Sequence, residues 1–338
     1  MDEPDGALTQ IVPGASKTSA PGHPYSGLAK PPARDAILSQ TGAIDLTVRP
    51  GNSSIAFYLG LISRTGASKG EIGGSKMALR HTFVTACLNM GLSVAKQSDL
   101  AAVKRFVSEL HPVTTDLPMT RFGSKGDGGY VMPDDLEGVV ACFSPGVDNR
   151  ATFETSMIER GIPCFLADAS VEAAPVQGDM VHFTKKYLGV VNDETTVTLD
   201  DWVAQHSPGS GDIVLQMDIE GAEWPVLLNA SNETLRRCRI MVLELHDMER
   251  LMDKHAFTII RATFQRLLRD FHVVHIHPNN YGGAVRRGAF VIPRAIEITL
   301  LRKDRAKPTG YATQFPHPLD QINDQAAPDV VLPEGWRR

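Results

Sequence analysis

Between residues 139 and 301 the chain alternates short, continuous apolar runs with segments of helical spacing. Strands that are apolar at every position are typical of a parallel sheet covered by helices on both faces. The last two runs have no helical segment between them, which predicts an antiparallel pair at one edge. The seven predicted strands span residues 139–143, 164–167, 181–183, 213–217, 240–245, 272–277 and 296–301. This pattern predicts a doubly wound α/β domain with a mostly parallel, seven-stranded sheet.

The segments before and after this core differ from it in composition. Residues 1–75 are rich in Gly, Pro, Ser, Ala and Thr, and they bury too little apolar surface to offset their ordering entropy, so we predict a flexible, mostly disordered arm. Residues 76–114 carry two helical patterns and form a predicted helical extension. We assign residues 115–303 to the main domain, and 304–338, which contain five prolines, to an irregular C-terminal tail.

Charge and composition narrow the classes of partner. The net charge of -5 gives no general electrostatic reason to bind nucleic acid or an anionic membrane. No apolar run approaches the roughly 20 residues of a membrane-spanning helix. The N-terminus lacks the features of a signal peptide, and the four scattered cysteines suit a reducing compartment. We therefore expect a cytoplasmic protein with a small-molecule or glycan substrate; the sequence leaves the oligomeric state open.

The residues after the first two strands are candidates for ligand contacts, because ligands of such folds bind beyond the carboxyl ends of the strands, although the segment does not have the G-x-G-x-x-G pattern of a dinucleotide site. Gly146 lets the backbone approach a ligand, and Asp148 or Asn149 is a candidate cap for the next helix. Asp168 ends the second strand, where an acid can bind ribose hydroxyls. The alternatives are a plain turn for Gly146 and a helix cap or surface acid for Asp168.

The most distinctive segment is an acidic run directly after the fourth strand, with Asp218, Glu220 and Glu223. Asp218 and Glu220 point to the same side if the strand persists. Close like charges resist joint ionisation, so a cation, a proton or a positively charged substrate is expected between them. The structural alternative is that Glu223 begins a helix that Asp218 caps.

Histidines and acids also alternate at the ends of the fifth and sixth strands. Glu244 and His246 share one face there, as do His275 and His277. These side chains suit a general base with a pKa near neutrality. They also suit a divalent cation such as Mg²⁺. The base is the favoured interpretation, because no ligand set has diagnostic spacing.

A turn signal precedes the first strand. Asp127 and Gly128 lie between apolar residues, a pattern that predicts a hairpin. The functional alternative is a lid or floor against a cofactor.

Taken together, these motifs resemble those of the FkbM-type methyltransferases, a Rossmann-like family that uses S-adenosylmethionine. The resemblance covers roughly residues 115–300. It is carried by Asp127-Gly-Gly-Tyr130, Ser144-Pro-Gly-Val147, Asp168, Thr198-Leu-Asp-Asp201, Asp218-Ile-Glu-Gly-Ala-Glu223, Glu244-Leu-His246 and His275-Ile-His-Pro-Asn-Asn280. It implies an O-methyltransferase acting on a hydroxyl of a sugar, polysaccharide or polyketide-type metabolite, with Gly146 and Asp168 at the cofactor.

These considerations give a set of predicted site residues. The cofactor contacts are predicted to be Asp127, Gly128, Gly129, Ser144, Gly146, Asp168 and Asp218. The predicted catalytic residues are Asp218, Glu220, His246 and His277. The two histidines are the candidate bases, and the two acids are expected to orient the acceptor or bind a cation.

Two other functions stay open. A nucleotide-sugar or glycan-binding module without catalysis is one, because the first loop has only one glycine, Gly146. A metal-dependent hydrolase that uses the histidines and acids is the other, although no zinc-type spacing is present.

Overall fold

The computed structural model describes residues 75–90, 94–207 and 209–337. The predicted arm over residues 1–75 lies outside them except for Ser75, where helix α1 (Ser75–Asn89) begins. Helix α2 (Leu100–Glu109) follows, and the carboxylate of its N-cap Asp99 accepts hydrogen bonds from the backbone N–H groups of Ala101 and Ala102. Val103, Phe106 and Val107 of α2 are buried, which fixes this helix to the main domain.

The main domain is built on one seven-stranded sheet. Its strands are β4 (Ala141–Pro145), β5 (Cys164–Ala167), β6 (Val181–Thr184), β9 (Ile213–Met217), β10 (Cys238–Leu245), β11 (Phe271–Arg287) and β12 (Phe290–Arg302). Their spatial order is β11-β12-β10-β9-β4-β5-β6. The five strands from β10 to β6 run parallel, and β12 is antiparallel to both of its neighbours. The predicted α/β architecture is therefore confirmed.

The last two strands form the predicted antiparallel pair, but they are longer than predicted. The reversed strand β12 lies between β10 and β11, so the outermost strand is β11. Strand β11 continues through the Gly- and Asn-rich stretch that the sequence pattern assigns to a loop. Pairing with β12 outweighs the low strand propensity of that stretch, with a register shift between Asn279 and Ala284.

The central strands are apolar throughout because both of their faces are covered. Along β9, Val214 packs on one face of the sheet, in a cluster with Ile240 and Val242. Leu215 and Met217 pack on the opposite face. This alternation is the two-residue period of a strand with helices on both sides.

The helices of the main domain are α3 (Thr152–Ile158), α4 (Leu199–His206), α5 (Glu223–Asn229), α6 (Asn232–Arg237) and α7 (Lys254–Asp270). The Thr198 hydroxyl caps α4 by accepting from the N–H of Asp201. The predicted cap by Asp148 or Asn149 is wrong, since α3 starts after Ala151 without a side-chain cap. Asp218 does not cap α5 either, because its N-cap is Ala222. None of the described helices is both long and apolar enough to cross a membrane.

Three small strand pairs complete the domain. The hairpin predicted around Asp127 is confirmed as β2 (Met119–Gly123) paired with β3 (Gly129–Pro133). Strands β7 (Tyr187–Gly189) and β8 (Thr196–Thr198) pair in parallel. Strands β1 (Val113–Thr114) and β13 (Gly310–Tyr311) pair in antiparallel fashion.

The C-terminal segment is mostly irregular, yet it packs on the domain. Trp336 is fully buried, and its indole N–H donates to the carbonyl of Val291 at 3.0 Å. Leu332 is also buried in the core cluster. Asp320 accepts from His275 of β11 at 2.8 Å. These contacts make the segment part of the fold, which its proline-rich sequence does not reveal.

Candidate active site

A cavity of about 850 Å³ opens at the carboxyl ends of the parallel strands. The chain proceeds from β4 outward to β6 and then returns to β9 and β10 on the other side, so the strand order reverses between β4 and β9. Doubly wound folds bind ligands at such a reversal point. The predicted residues Asp127, Gly128, Gly146, Asp168, Asp218, Glu220 and His246 all line this cavity.

The backbone of Gly146 brings the loop after β4 close to the loop after β9. It has φ +85°, and a Cβ atom there would lie 1.6 Å from the backbone oxygen of Asp218. Its N–H donates to the carbonyl of Ala167 at 2.9 Å, and the N–H of Asp218 donates to the carbonyl of Pro145 at 3.3 Å. The glycine is therefore required by the close approach of the β4 and β9 loops, apart from any ligand.

Asp168, directly after β5, fixes the loop after β4. Its Oδ2 accepts from the N–H of Asp148 at 3.0 Å, and its Oδ1 accepts from the N–H and hydroxyl of Ser170 at 2.7 Å. Asp168 lines the cavity although it is only 6% exposed. A carboxylate has about four acceptor positions, so these three bonds leave room for one more donor.

Two predicted cofactor residues do not reach the cavity lining. Ser144 is fully buried beneath it and hydrogen-bonds with the side chains of Glu154 and Gln216. Burial raises the pKa of Glu154, and the hydrogen bond with Ser144 partly offsets this. Gly129 lies in the hairpin, where a Cβ atom would meet the carbonyl oxygen of Ser124 at 2.1 Å. Neither residue borders the cavity, and both belong to the structure that supports it.

Three non-glycine residues have left-handed backbone within the described part of the chain, and all three line the cavity. They are Asp148 (φ 44°), Glu220 (φ 54°) and Asp247 (φ 58°). Aspartate tolerates this region better than most residues, whereas glutamate is held there against a steric cost. Strand β9 thus ends at Met217, and Glu220 reaches the site from a turn and not from an extended strand.

His246 stands at the centre of a group of carboxylates. Its Nε2 lies 3.9 Å from Asp218 Oδ1, 3.8 Å from Glu220 Oε2 and 3.8 Å from Glu244 Oε1. Its Nδ1 lies 3.0 Å from Glu223 Oε1. Three of these carboxylates come from strand ends or turns and Glu223 begins α5, and all of them lie at the carboxyl edge of the parallel strands. We call Asp218, Glu220, Glu223, Glu244 and His246 the acidic cluster.

Glu223 orients the imidazole. This residue is fully buried, and its Oε1 also accepts from the N–H groups of Ile219 and Gly221, both at 3.1 Å. An oxygen that accepts two N–H bonds is an acceptor for His246 as well, so Nδ1 carries a proton and donates it. Nε2 therefore faces Asp218, Glu220 and Glu244, as in a histidine held by a buried carboxylate.

The charges of the acidic cluster shift its pKa values strongly. Burial and the charges of Glu220 and Glu223 raise the pKa of Asp218 to about 8, against the opposing effect of His246. Burial lowers the pKa of His246, but the bond to Glu223 and the carboxylate charges outweigh it and raise that pKa to about 10. Burial and the charge of Asp218 also raise the pKa of Glu244. These carboxylates resist joint ionisation, and a proton or a cation between them would stabilise the cluster.

The structure does not bring His277 to the cavity. His277 is 3% exposed and lies 3.5 Å from Glu297 Oε2. It sits in the middle of β11, which continues ten residues further to Arg287, and not at a strand end. Of the two histidines predicted as bases, only His246 lies among the carboxylates of the site.

Some lining residues were not among the predicted site residues. Asn279 donates to Glu244 Oε1 at 2.6 Å and so fixes that carboxylate. Asn323 and Asp324 come from the C-terminal segment and also line the cavity. Nothing in the local pattern of the tail signals this, since its position depends on long-range bonds such as Asn280 Nδ2 to the carbonyl of Asp324 at 2.8 Å.

The cavity as a whole is strongly acidic. Among the described residues that line it, the basic side chains are Arg150, Arg294 and His246. Its ten acidic residues are Asp127, Asp148, Glu154, Asp168, Asp218, Glu220, Glu244, Asp247, Glu249 and Asp324. This balance favours a ligand that carries positive charge and disfavours one that carries phosphate.

Residues 165–271 match the family model of the methyltransferase FkbM domain. Over this segment the chain carries the sequence features of a methyltransferase FkbM domain. The matched segment contains Asp168 and the whole acidic cluster, whereas Gly146 and the β2–β3 hairpin lie before it. The family resemblance seen in the motifs is thereby confirmed.

No curated protein matches the sequence of this methyltransferase. Similar solved structures include a candidate RNA methyltransferase from Pyrococcus horikoshii, with 10% identity over 50% of this chain and 77% of that chain and a TM-score of 0.30. Another is 1,6-didemethyltoxoflavin-N1-methyltransferase from Burkholderia thailandensis with bound 1,6-didemethyltoxoflavin and S-adenosylhomocysteine, with 12% identity over 70% and 93% and a TM-score of 0.25. Neither structure, at such a TM-score, informs the substrate of this chain.

Proposed function

We propose that this methyltransferase transfers the methyl group of S-adenosylmethionine to a hydroxyl of a sugar, polysaccharide or polyketide-type metabolite. The acidic cavity at the reversal point of the sheet is the observation that carries this proposal. S-adenosylmethionine bears a sulfonium and an ammonium group against one carboxylate, so its net charge is positive and complements a cavity lined by more acidic than basic side chains. The diphosphate of a nucleotide sugar meets repulsion in the same cavity.

The residues at the ends of β4 and β5 fit the nucleoside part of such a cofactor. Gly146 borders the cavity at the end of β4, and Asp168 keeps one acceptor position for a ribose hydroxyl. The volume of about 850 Å³ lies within the range of small-molecule sites and leaves space for an acceptor beside the cofactor. Asp127 and Gly128 of the hairpin border the same space.

The acidic cluster binds the acceptor and removes its proton. When bound, S-adenosylmethionine supplies a methyl group that is already electrophilic, so the protein has to align the acceptor and remove its proton. Asp218 and Glu244 line the cavity and each has a buried oxygen without a partner among the described residues. These oxygens can accept the acceptor's O–H, and the exposed Glu220 beside them leads the proton to solvent.

Calorimetric titration with S-adenosylmethionine and S-adenosylhomocysteine tests the cofactor part of this proposal. We expect one saturable site for each compound, weakened about tenfold or more in Asp168→Ala because the ribose contact is lost. Asp179→Asn removes an exposed acid outside the cavity and serves as the matched control. A folded protein that binds neither compound would contradict the proposal.

The acceptor class is tested separately, with purified enzyme and S-adenosylmethionine labelled in the methyl group. Panels of free sugars, polysaccharide fragments and polyketide alcohols are compared, and product mass locates the new methyl on oxygen. Methylation restricted to nitrogen or carbon acceptors would contradict hydroxyl methylation while leaving cofactor binding intact.

A further inference from the structure

The acidic cluster contains a group of ligand atoms with the spacing of a metal site. One ligand atom each from Asp218, Glu244 and His246 lies within 4.8 Å of the other two. Two ligands on opposite sides of one ion bound at about 2.0–2.3 Å are about 4–4.6 Å apart. The three groups therefore need little movement to share a single ion.

A second observation shows that a partner belongs there. Glu244 is 5% exposed, and its Oε2 has no hydrogen-bond partner among the described residues. Asp218 Oδ1 is likewise buried and without a hydrogen-bond partner in that part of the chain. Buried carboxylate oxygens are costly to leave unpaired, and in proteins they are paired or coordinate metals. Both residues also contribute to the lining of the cavity.

The surroundings hold the ligand atoms in place. Glu223 fixes His246 through Nδ1 and leaves Nε2 directed at the carboxylates. Asn279 binds Glu244 Oε1 at 2.6 Å and leaves Oε2 available. A metal-binding histidine commonly donates its second N–H to a carboxylate, and a metal-binding carboxylate is commonly hydrogen-bonded. The cluster has both of these features.

We propose that Asp218, Glu244 and His246 bind a divalent cation, for which two carboxylates and one imidazole make Mn²⁺ the best match. This inference rests on the proposed function and deepens it. An ion held by these three residues would keep coordination positions for the acceptor hydroxyl and would lower the pKa of that hydroxyl. The proton then passes to Glu220, which lies at the cluster and is exposed.

The sulfonium group is the competing explanation for the unpaired oxygens, because it is also a cation. It carries three carbon substituents, however, and cannot come within metal-bonding distance of three ligand atoms. Binding of a metal in the absence of S-adenosylmethionine distinguishes the two explanations.

The experiment is a titration of the full chain with Mn²⁺ after chelator treatment, followed by the electron paramagnetic resonance signal of free Mn²⁺. We expect one bound ion per chain. Glu244→Gln and Asp218→Asn should each weaken binding by about 10–100-fold. Asp247→Asn is the matched control, because it removes a carboxylate from the same cavity outside the ligand set and asparagine tolerates its left-handed backbone. Its affinity should stay within about threefold of wild type.

Folding of each variant is checked by its thermal unfolding transition, and His246→Gln replaces any variant that fails to fold. The proposal is overturned if wild type shows no saturable binding up to millimolar Mn²⁺, or if the ligand variants bind as wild type does. S-adenosylhomocysteine is titrated in metal-free buffer in parallel. If S-adenosylhomocysteine binds but Mn²⁺ does not, only the cation site is refuted. If Mn²⁺ binds but S-adenosylhomocysteine does not, the proposed function is refuted.

Discussion

Gly146 and Asp218 are in such close backbone contact that a single Cβ atom at position 146 would collide with the Asp218 carbonyl oxygen at 1.6 Å. This contact joins the loop after β4 to the loop after β9, and those two loops border the reversal point of the sheet. The position of the acidic cluster relative to the loop after β4 therefore depends on one glycine.

Replacing Gly146 by Ala should displace the two loops and abolish cofactor binding. The substitution combines a left-handed φ of +85° with the backbone collision. Gly161→Ala is the matched control, since Gly161 has φ +76° and a Cβ atom there would meet nothing within 4 Å. We expect Gly161→Ala to lower the free energy of unfolding by about 1–2 kcal/mol and to keep binding. Denaturation measures the stability of both variants and calorimetry measures their cofactor binding. If Gly146→Ala and Gly161→Ala changed both quantities equally, this prediction would be wrong.

His246→Gln should reduce turnover by about 10²–10⁴-fold while S-adenosylhomocysteine still binds, because the imidazole sits among the carboxylates that we propose bind the acceptor. His277→Gln should leave the turnover of folded enzyme within about threefold, since His277 is buried beside Glu297 away from the cavity. Initial rates at saturating cofactor measure both. A His277 variant as impaired as the His246 variant would restore His277 as a catalytic candidate.

The ionised Asp212 carboxylate should stabilise the folded state at neutral pH but not at strongly acidic pH. It accepts from Arg239 at 2.9 Å and from Arg302 at 2.6 Å. Burial acts to raise its pKa, but the bonds from Arg302 and Arg239 outweigh burial and lower it. Because the pKa of Asp212 is lower in the folded than in the unfolded chain, the Asp212 carboxylate stabilises the folded state at pH values above its unfolded pKa of about 3.9. This stabilisation is lost as the pH falls through the pKa of the folded state.

Asp212→Asn should therefore lower the free energy of unfolding by about 1–3 kcal/mol at pH 7, with the difference from wild type shrinking below about pH 4. Urea denaturation across this pH range measures the effect, with Asp179→Asn as an exposed control. A difference that grows on acidification would have the wrong sign for this pair of ion contacts.

Trp336→Ala should destabilise the protein by about 3–5 kcal/mol, because a fully buried indole and its hydrogen bond to Val291 are lost. Val331→Ala, at a 43% exposed position in the same segment, should change stability by less than about 0.5 kcal/mol. Thermal and denaturant unfolding compare the two variants. Wild-type stability of Trp336→Ala would show that the C-terminal segment does not belong to the folded unit.

The strand ends were the most predictable part of the site. Asp168, Asp218 and His246 each follow an apolar run whose length and composition mark a buried parallel strand, and the carboxyl ends of such strands meet at one edge. His277 was not predictable in this way. The residues after it have the composition of a loop, but pairing with β12 extends the strand to Arg287 and leaves His277 in the middle.

The sequence by itself determined the α/β class, the mostly parallel sheet and the group of acids at its carboxyl edge, because the period of apolar residues and the positions of strand ends are local properties. Tertiary structure alone decided that Glu223 orients His246, that Asn279 fixes Glu244, and that the C-terminal segment reaches the cavity. These outcomes depend on hydrogen bonds and packing between residues far apart in the chain, which leave no periodic signal in the sequence.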